Sequence, residues 1–300
     1  MALAEQSRSR AIWPWQDRNH AFSWLKASTF ALMFGPAIWL VYQVDTGRFG
    51  RTALGGMTYW SGLWATAILL LALVVTPAAT ILRWRRFIVV RRMIGVTGLA
   101  YTIAHLIIYF ALRYWNFSSI AYEMATRLSL IVATISTIGL VALGATSLDA
   151  AIDRIGVKNW QRLHNTVYAL TALAVVHYLL SPSMYSDQYL TSGIFFWLIA
   201  WRALNRRKLG TDASALALLA VASCFFTAFL EAGWTWAYHG YEPVGTLGYN
   251  FTLDFGISPA WKVLALGLVL ALAAASRRSS HSNADFDARE MESRPATARE

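Results

Sequence analysis

Along the chain, apolar residues gather into long runs separated by short polar segments. Eight runs approach the roughly 20 mostly apolar residues that a helix needs to cross a bilayer: 24–43, 58–76, 93–112, 127–147, 163–181, 189–205, 213–232 and 260–276. They are continuously apolar, too long for barrel strands and free of strict alternation, so helices are expected rather than strands. The expected fold class is an all-α membrane protein, a polytopic bundle of about eight transmembrane helices. The segment 1–23 is polar and tryptophan-containing, and the run after Lys26 lacks a small-residue cleavage exit, so it reads as a retained first helix. A longer outer loop, about 233–259, separates the last two runs, and the charged tail 277–300 is expected to be disordered.

Composition agrees with a membrane solvent. Of the 300 residues 57% are hydrophobic and 14% charged, against about 25% charged in ordinary soluble domains. The net charge of +10 would suit nucleic acid in a soluble protein. Here the basic residues sit in short segments between apolar runs, so they read as topology signals, and no nucleic-acid groove is expected. Arg83, Arg85, Arg86, Arg91 and Arg92 follow the second run, Arg154, Lys158 and Arg162 the fourth, and Arg206, Arg207 and Lys208 the sixth. The opposite loops hold Asp45, Glu123, Asp187, Glu242 and Asp254, with Arg48, Arg51 and Arg113 as exceptions. For an inner-membrane protein this asymmetry puts both termini in the cytoplasm. Trp60, Trp115, Trp201, Trp234 and Trp261 fall near run ends, where interfacial aromatics are expected. The single cysteine, Cys224, reads as a small buried apolar residue.

Three of the six histidines, His105, His164 and His177, fall inside or at the edge of apolar runs. Ionisable groups in lipid are costly and tend to be functional, and neutral imidazole is a common axial ligand of haem iron. His105 lies 14 residues beyond Arg91, a helical rise of about 21 Å. His177 lies 13 residues beyond His164, about 20 Å. His105 and His177 are therefore expected at similar depth in the outer half of the bilayer, and His164 at the inner level of Arg91 and Arg92. On an ideal helix, however, His164 would point about 140° away from His177. Haem ligation is preferred for the outer pair over hydrogen-bonded packing or a proton relay. For His164 a solvated or capping role stands beside it. Arg91 and Arg92 read first as topology signals. The sharper reading makes them, with Arg162, the partners of haem propionates, since guanidinium pairs well with carboxylate.

These positions resemble the MsrQ (YedZ) family, haem-binding membrane subunits of the ferric-reductase-like group. The matching stretches are SGLWATAILLLALVVTP at 61–77, RRMIGVTGLAYTIAHLIIY at 91–109, ATS at 145–147 and WQRLHNTVYALTALAVVHY at 160–178. The resemblance implies a ferric-reductase-like six-helix haem domain over 24–205, followed by two additional helices with the outer loop over 206–276. It implies b haem, one or two per chain, and flavin mononucleotide is associated with the family. His105, His164 and His177 match the family's haem histidines, and Arg91 matches the arginine ahead of the first. The implied role is electron delivery from the quinol pool or a cytosolic flavin reductase to a periplasmic molybdopterin-containing methionine sulfoxide reductase. The chain departs from the family in two ways. The fourth run opens as TRLSLIVATIS where an R-P-Y opening is expected, and two helices extend beyond the six-span block.

No dinucleotide-binding G-x-G-x-x-G or Walker A loop is visible, which favours an electron-transfer subunit over a self-sufficient reductase. Two other classes stay open: a b-type cytochrome or metal reductase serving another acceptor, and a non-redox transporter using the histidines as a relay.

Overall fold

The computed structural model describes residues 13–16, 19–181, 186–254 and 256–293. Thirteen α-helices carry the described chain: α1 (Trp24–Leu32), α2 (Gly35–Asp45), α3 (Ala53–Ile81), α4 (Arg91–Leu112), α5 (Phe117–Thr126), α6 (Leu128–Ala145), α7 (Asp149–Ile155), α8 (Val157–Asn165), α9 (Val167–Leu180), α10 (Asp187–Arg206), α11 (Ala213–His239), α12 (Pro243–Phe251) and α13 (Pro259–Ser293). The described residues hold no strand, only an isolated bridge between Gln16 and Phe22. The protein is a multi-pass helical membrane protein, and the described residues hold seven segments long and apolar enough to cross: Trp24–Asp45, Ala53–Ile81, Arg85–Leu112, Leu128–Ala145, Val157–Leu180, Ala213–His239 and Pro259–Arg277.

The run at 189–205 differs from the rest. It forms the 20-residue helix α10, yet it is not among those seven: its sequence is interrupted by Gln188, Thr191, Ser192, Arg202 and Asn205, and Gln188, Thr191, Ser192, Trp197 and Trp201 are buried in protein. Trp201 is therefore not an interfacial anchor. It is 1% exposed and donates its indole N–H to the Gly210 carbonyl at 3.0 Å. The outer loop is largely helical as well. α11 runs on to His239 and stops at Gly240, whose φ of +71° is the left-handed conformation that ends helices. Pro243 then opens α12, whose first amides are capped by the Glu242 carboxylate. The tail expected to be disordered continues α13 as helix to Ser293. Between Pro259 and Pro295 no proline interrupts it.

Chain contacts divide the molecule into two units, Met1–Leu73 with Arg86–Pro182, and Val74–Arg85 with Ser183–Glu300. In the first, Leu69, Leu140, Leu143 and Leu170 form a core backed by Leu99, Leu163, Val167 and Ala174. Gly139 lets α6 approach α9 closely, since a β-carbon there would collide with Leu170. One turn away, the Ser136 hydroxyl donates across the same seam to the Leu170 carbonyl at 2.9 Å. In the second, Cys224, Ala228 and Ala260 pack with Leu247 and Leu264, so the cysteine is a small buried core residue.

The first crossing is broken between α1 and α2, where Pro36 follows Gly35 and disrupts the helical ladder. The Tyr101 hydroxyl from α4 enters the gap. It donates to the Met33 carbonyl at 2.8 Å and accepts from the Ala37 amide at 2.9 Å. Those two backbone groups would otherwise be the i, i+4 pair, and lipid offers no substitute partner. Tyr101→Phe is expected to cost about 1–3 kcal/mol, read as a lower unfolding midpoint in detergent.

Candidate functional site

The described histidines at 105 and 177 come from separate helices, α4 and α9, and their rings stand 6.4 Å apart between centroids with planes 64° to one another. Each ring is tethered by Nδ1. On His177, Nδ1 lies 2.8 Å from the Ser129 carbonyl at the start of α6. A carbonyl only accepts, so Nδ1 carries the hydrogen. On His105, Nδ1 lies 3.0 Å from the Ser61 hydroxyl of α3. That hydroxyl donates to the Thr58 carbonyl at 3.1 Å, which leaves its lone pair for the imidazole N–H. Both tautomers therefore put the lone pair on Nε2, as ligand histidines held by an outer hydrogen bond do.

The two rings border a cavity of about 490 Å³ within the first unit, whose wall also includes Gly62, Tyr59, Tyr109, Arg113 and Arg127. Gly62 is required beside the ring. A β-carbon there would come within 2.9 Å of His105 Cε1. At one end of the cavity Glu123 from α5 is paired with both Arg113 and, at 3.1 Å, Arg127. Tyr109 donates to the same carboxylate at 3.0 Å. The hydrogen bond from Arg113 leads in holding the Glu123 carboxyl below its ordinary range. A lowered value means that the pairing contributes above the ordinary carboxylate range and is lost as pH falls through the lowered one. Two guanidinium groups against one carboxylate leave one positive charge in excess there.

His164 sits elsewhere, on α8. The crossing that carries it is not one ideal helix, because Thr166 closes a tighter turn onto the Leu163 carbonyl at 3.0 Å before α9 begins. The ideal-helix angle between His164 and His177 is therefore altered at this turn. The His164 ring stacks on Trp160 at 4.1 Å, and its Nε2 lies 3.3 Å from the Thr146 hydroxyl. Trp160 donates to the Thr146 carbonyl at 2.9 Å, so W-x-R-L-H and A-T-S lock α8 to the end of α6. The charges of Arg91 and Arg92 act on this imidazole. Arg162 is exposed and two residues from His164, hence on a different face of the helix. The leucine core, with Leu163 and Val167 at its edge, lies along α8 and α9 between the His164 and His177 levels.

Ser61, Ser129, Arg113 and Arg127 did not stand out as site residues in the sequence. A backbone acceptor such as Ser129 leaves no mark in a sequence. Arg113 had one signal: it broke the charge asymmetry on the acidic side.

Residues 60–175 match the model of the ferric reductase like transmembrane component. Among curated proteins, the methionine-sulfoxide reductase heme-binding subunit MsrQ of Azospira oryzae is 31% identical over 197 residues, 65% of this chain and 84% of that protein. The chain belongs to the MsrQ family. The MsrQ of Cronobacter sakazakii is 34% identical over 191 residues, 62% of this chain and 94% of that protein. No solved structure matches the chain. The ferric-reductase-like match takes in α4, α6, α8 and most of α9, so Arg91, His105 and His164 fall inside it, and His177 lies two residues past its end.

Proposed function

We propose that this MsrQ-family chain is a b-haem electron carrier of the inner membrane, passing electrons from a quinol or a cytosolic flavin reductase to a periplasmic molybdopterin-containing methionine sulfoxide reductase. The observation that carries the reading is the pairing of His105 and His177, each with Nδ1 tethered and Nε2 left for a metal. Two imidazoles sharing one metal at about 2.0–2.1 Å from each nitrogen have ring centres roughly 6 Å apart, close to the 6.4 Å here. A cavity of about 490 Å³ is ample for a small cofactor site, and its wall is mostly apolar with a cationic end. These features fit haem.

When bound, haem supplies one-electron chemistry at iron. The chain's residues do the rest. His105 and His177 would hold the iron, with Ser61 and Ser129 orienting the two rings. Arg113 and Arg127, which together carry one charge more than Glu123 neutralises, would supply the cation for a haem carboxylate. His164, with the charges of Arg91 and Arg92 acting on it and Arg162 on another face of the same turn, would mark an inner centre, whether for a second haem or for flavin mononucleotide. The Thr146 hydrogen bond would open if its Nε2 took a metal. The leucine core keeps water from the space between the two levels.

α10, although more polar than the other crossings, is about 30 Å long at the helical rise and matches the hydrocarbon thickness. Counting it as an eighth crossing keeps the basic connections on one face and both termini cytoplasmic.

A dithionite-reduced minus oxidised difference spectrum of the purified protein tests the reading. Haem bands are expected, and a proton-coupled carrier would show none. Arg127→Gln is expected to lower the haem midpoint potential by some tens of millivolts, because a lost cation disfavours the more negative reduced state. Redox titration of the difference spectrum measures it.

A further inference from the structure

The second unit carries a buried polar cluster for which electron transfer has no use. α10 contributes Gln188 and Tyr189, α11 contributes Glu231 and α12 contributes Asn250. Asn250 and Gln188 are 3% and 5% exposed. The Asn250 side chain is hydrogen-bonded to the Glu231 carboxylate, and its amide nitrogen also donates to the Thr246 carbonyl at 3.3 Å. Gln188 is hydrogen-bonded to Tyr189, which lies within the field of Glu231. The Ser258 hydroxyl holds the Asn250 carbonyl at 2.8 Å and so fixes the end of α12.

Within this cluster Glu231 Oε2, Asn250 Oδ1 and Gln188 Oε1 are buried and have no hydrogen-bond partner in the protein. Amide and carboxylate oxygens accept but do not donate, so three acceptors of the cluster are left without a donor although its amide nitrogens are used. An intramembrane carboxylate is expensive unless neutralised, and no basic side chain pairs with Glu231 among the described residues. A proton on Glu231 could satisfy only a single neighbouring oxygen. A small cation satisfies several together, and carboxylate with amide carbonyls is the oxygen donor set that hard cations take. With a lone carboxylate in the set, a single positive charge neutralises it.

We infer that Glu231, Asn250 and Gln188 form a binding site for a small monovalent inorganic cation, with Na+ as the probe. The site lies outside the ferric-reductase-like match at 60–175. Its occupant ties α12 to α10 and α11, so that the segment joining the last two crossings is docked only when the cation is bound.

The test is thermal unfolding of the full-length protein in detergent, followed by tryptophan fluorescence, in NaCl against choline chloride at equal ionic strength. Na+ is expected to raise the midpoint saturably, as any ligand of the folded state does, and Glu231→Gln to remove the difference. Asn250→Asp adds a second carboxylate and should tighten Ca2+ binding roughly tenfold or more, since ligand charge sets cation affinity. Equal midpoints in the two salts overturn the inference and leave ordered water as the partner of these oxygens. A Na+ response that survives Glu231→Gln overturns it too. If Glu231→Gln does not fold, Asn250→Asp decides, and an unchanged cation preference counts against the site. The readout does not involve haem, so failure here leaves the electron-transfer reading standing.

Discussion

His177→Ala is expected to abolish the outer haem centre, and His105→Ala to do the same, while the helical content of the protein is kept. Each change removes one Nε2 from a pair 6.4 Å apart and leaves the rest of the cavity wall in place. Neither ring is a packing keystone. Both border the cavity, and the leucine core that holds α6 against α9 does not include them. The haem-to-protein ratio of the purified variants, by pyridine haemochrome, checks the prediction. Free imidazole added to either variant should restore part of the haem, which a folding defect would not allow. Ser61→Ala acts more mildly. Loss of an outer-shell partner typically weakens metal binding about 10–100-fold, so it should bind haem with reduced affinity rather than lose it.

Gly62→Leu is expected to match the histidine variants without touching a ligand. A β-carbon at position 62 would already come within 2.9 Å of the His105 ring, and leucine adds a branched group in the same space. The same edge of the ring is tethered to the neighbouring residue, Ser61, at 3.0 Å. It can yield only by breaking that hydrogen bond and turning out of line with His177. The expected result is haem content close to that of His105→Ala, with Gly62→Ala in between. Overpacking of a well-packed interior costs about 1–3 kcal/mol, so the fold should survive while the centre does not. Full haem occupancy in Gly62→Leu would mean that the ring is free to move and that His105 is not clamped as described.

Much of this was legible in the sequence, for reasons tied to particular residues. The helical rise alone put His105 and His177 at one depth, because both lie a similar number of residues beyond a basic inner flank. The same rise put His164 near Arg91 and Arg92. Angle was less legible than depth. The turn at Thr166 interrupts the helix between His164 and His177, and nothing in N-T-V announces it. The run at 189–205 read as one more crossing, and Trp201, which read as an interfacial anchor, instead turns inward as Trp197 does. The loop at 233–259 read as irregular because of its glycines. Gly240 and Pro243 instead mark a helix end and a helix start. The partners that orient the histidines, a hydroxyl at Ser61 and a backbone carbonyl at Ser129, come from neighbouring helices, and only the tertiary structure brings them to the rings.

Electron paramagnetic resonance of the oxidised protein, purified with its haem, tests the central claim most directly. The low-spin signal of iron held by two imidazoles is expected in the parent and absent from the His105→Ala/His177→Ala double variant. A haem-free parent, or the same low-spin signal at full intensity in the double variant, would contradict it.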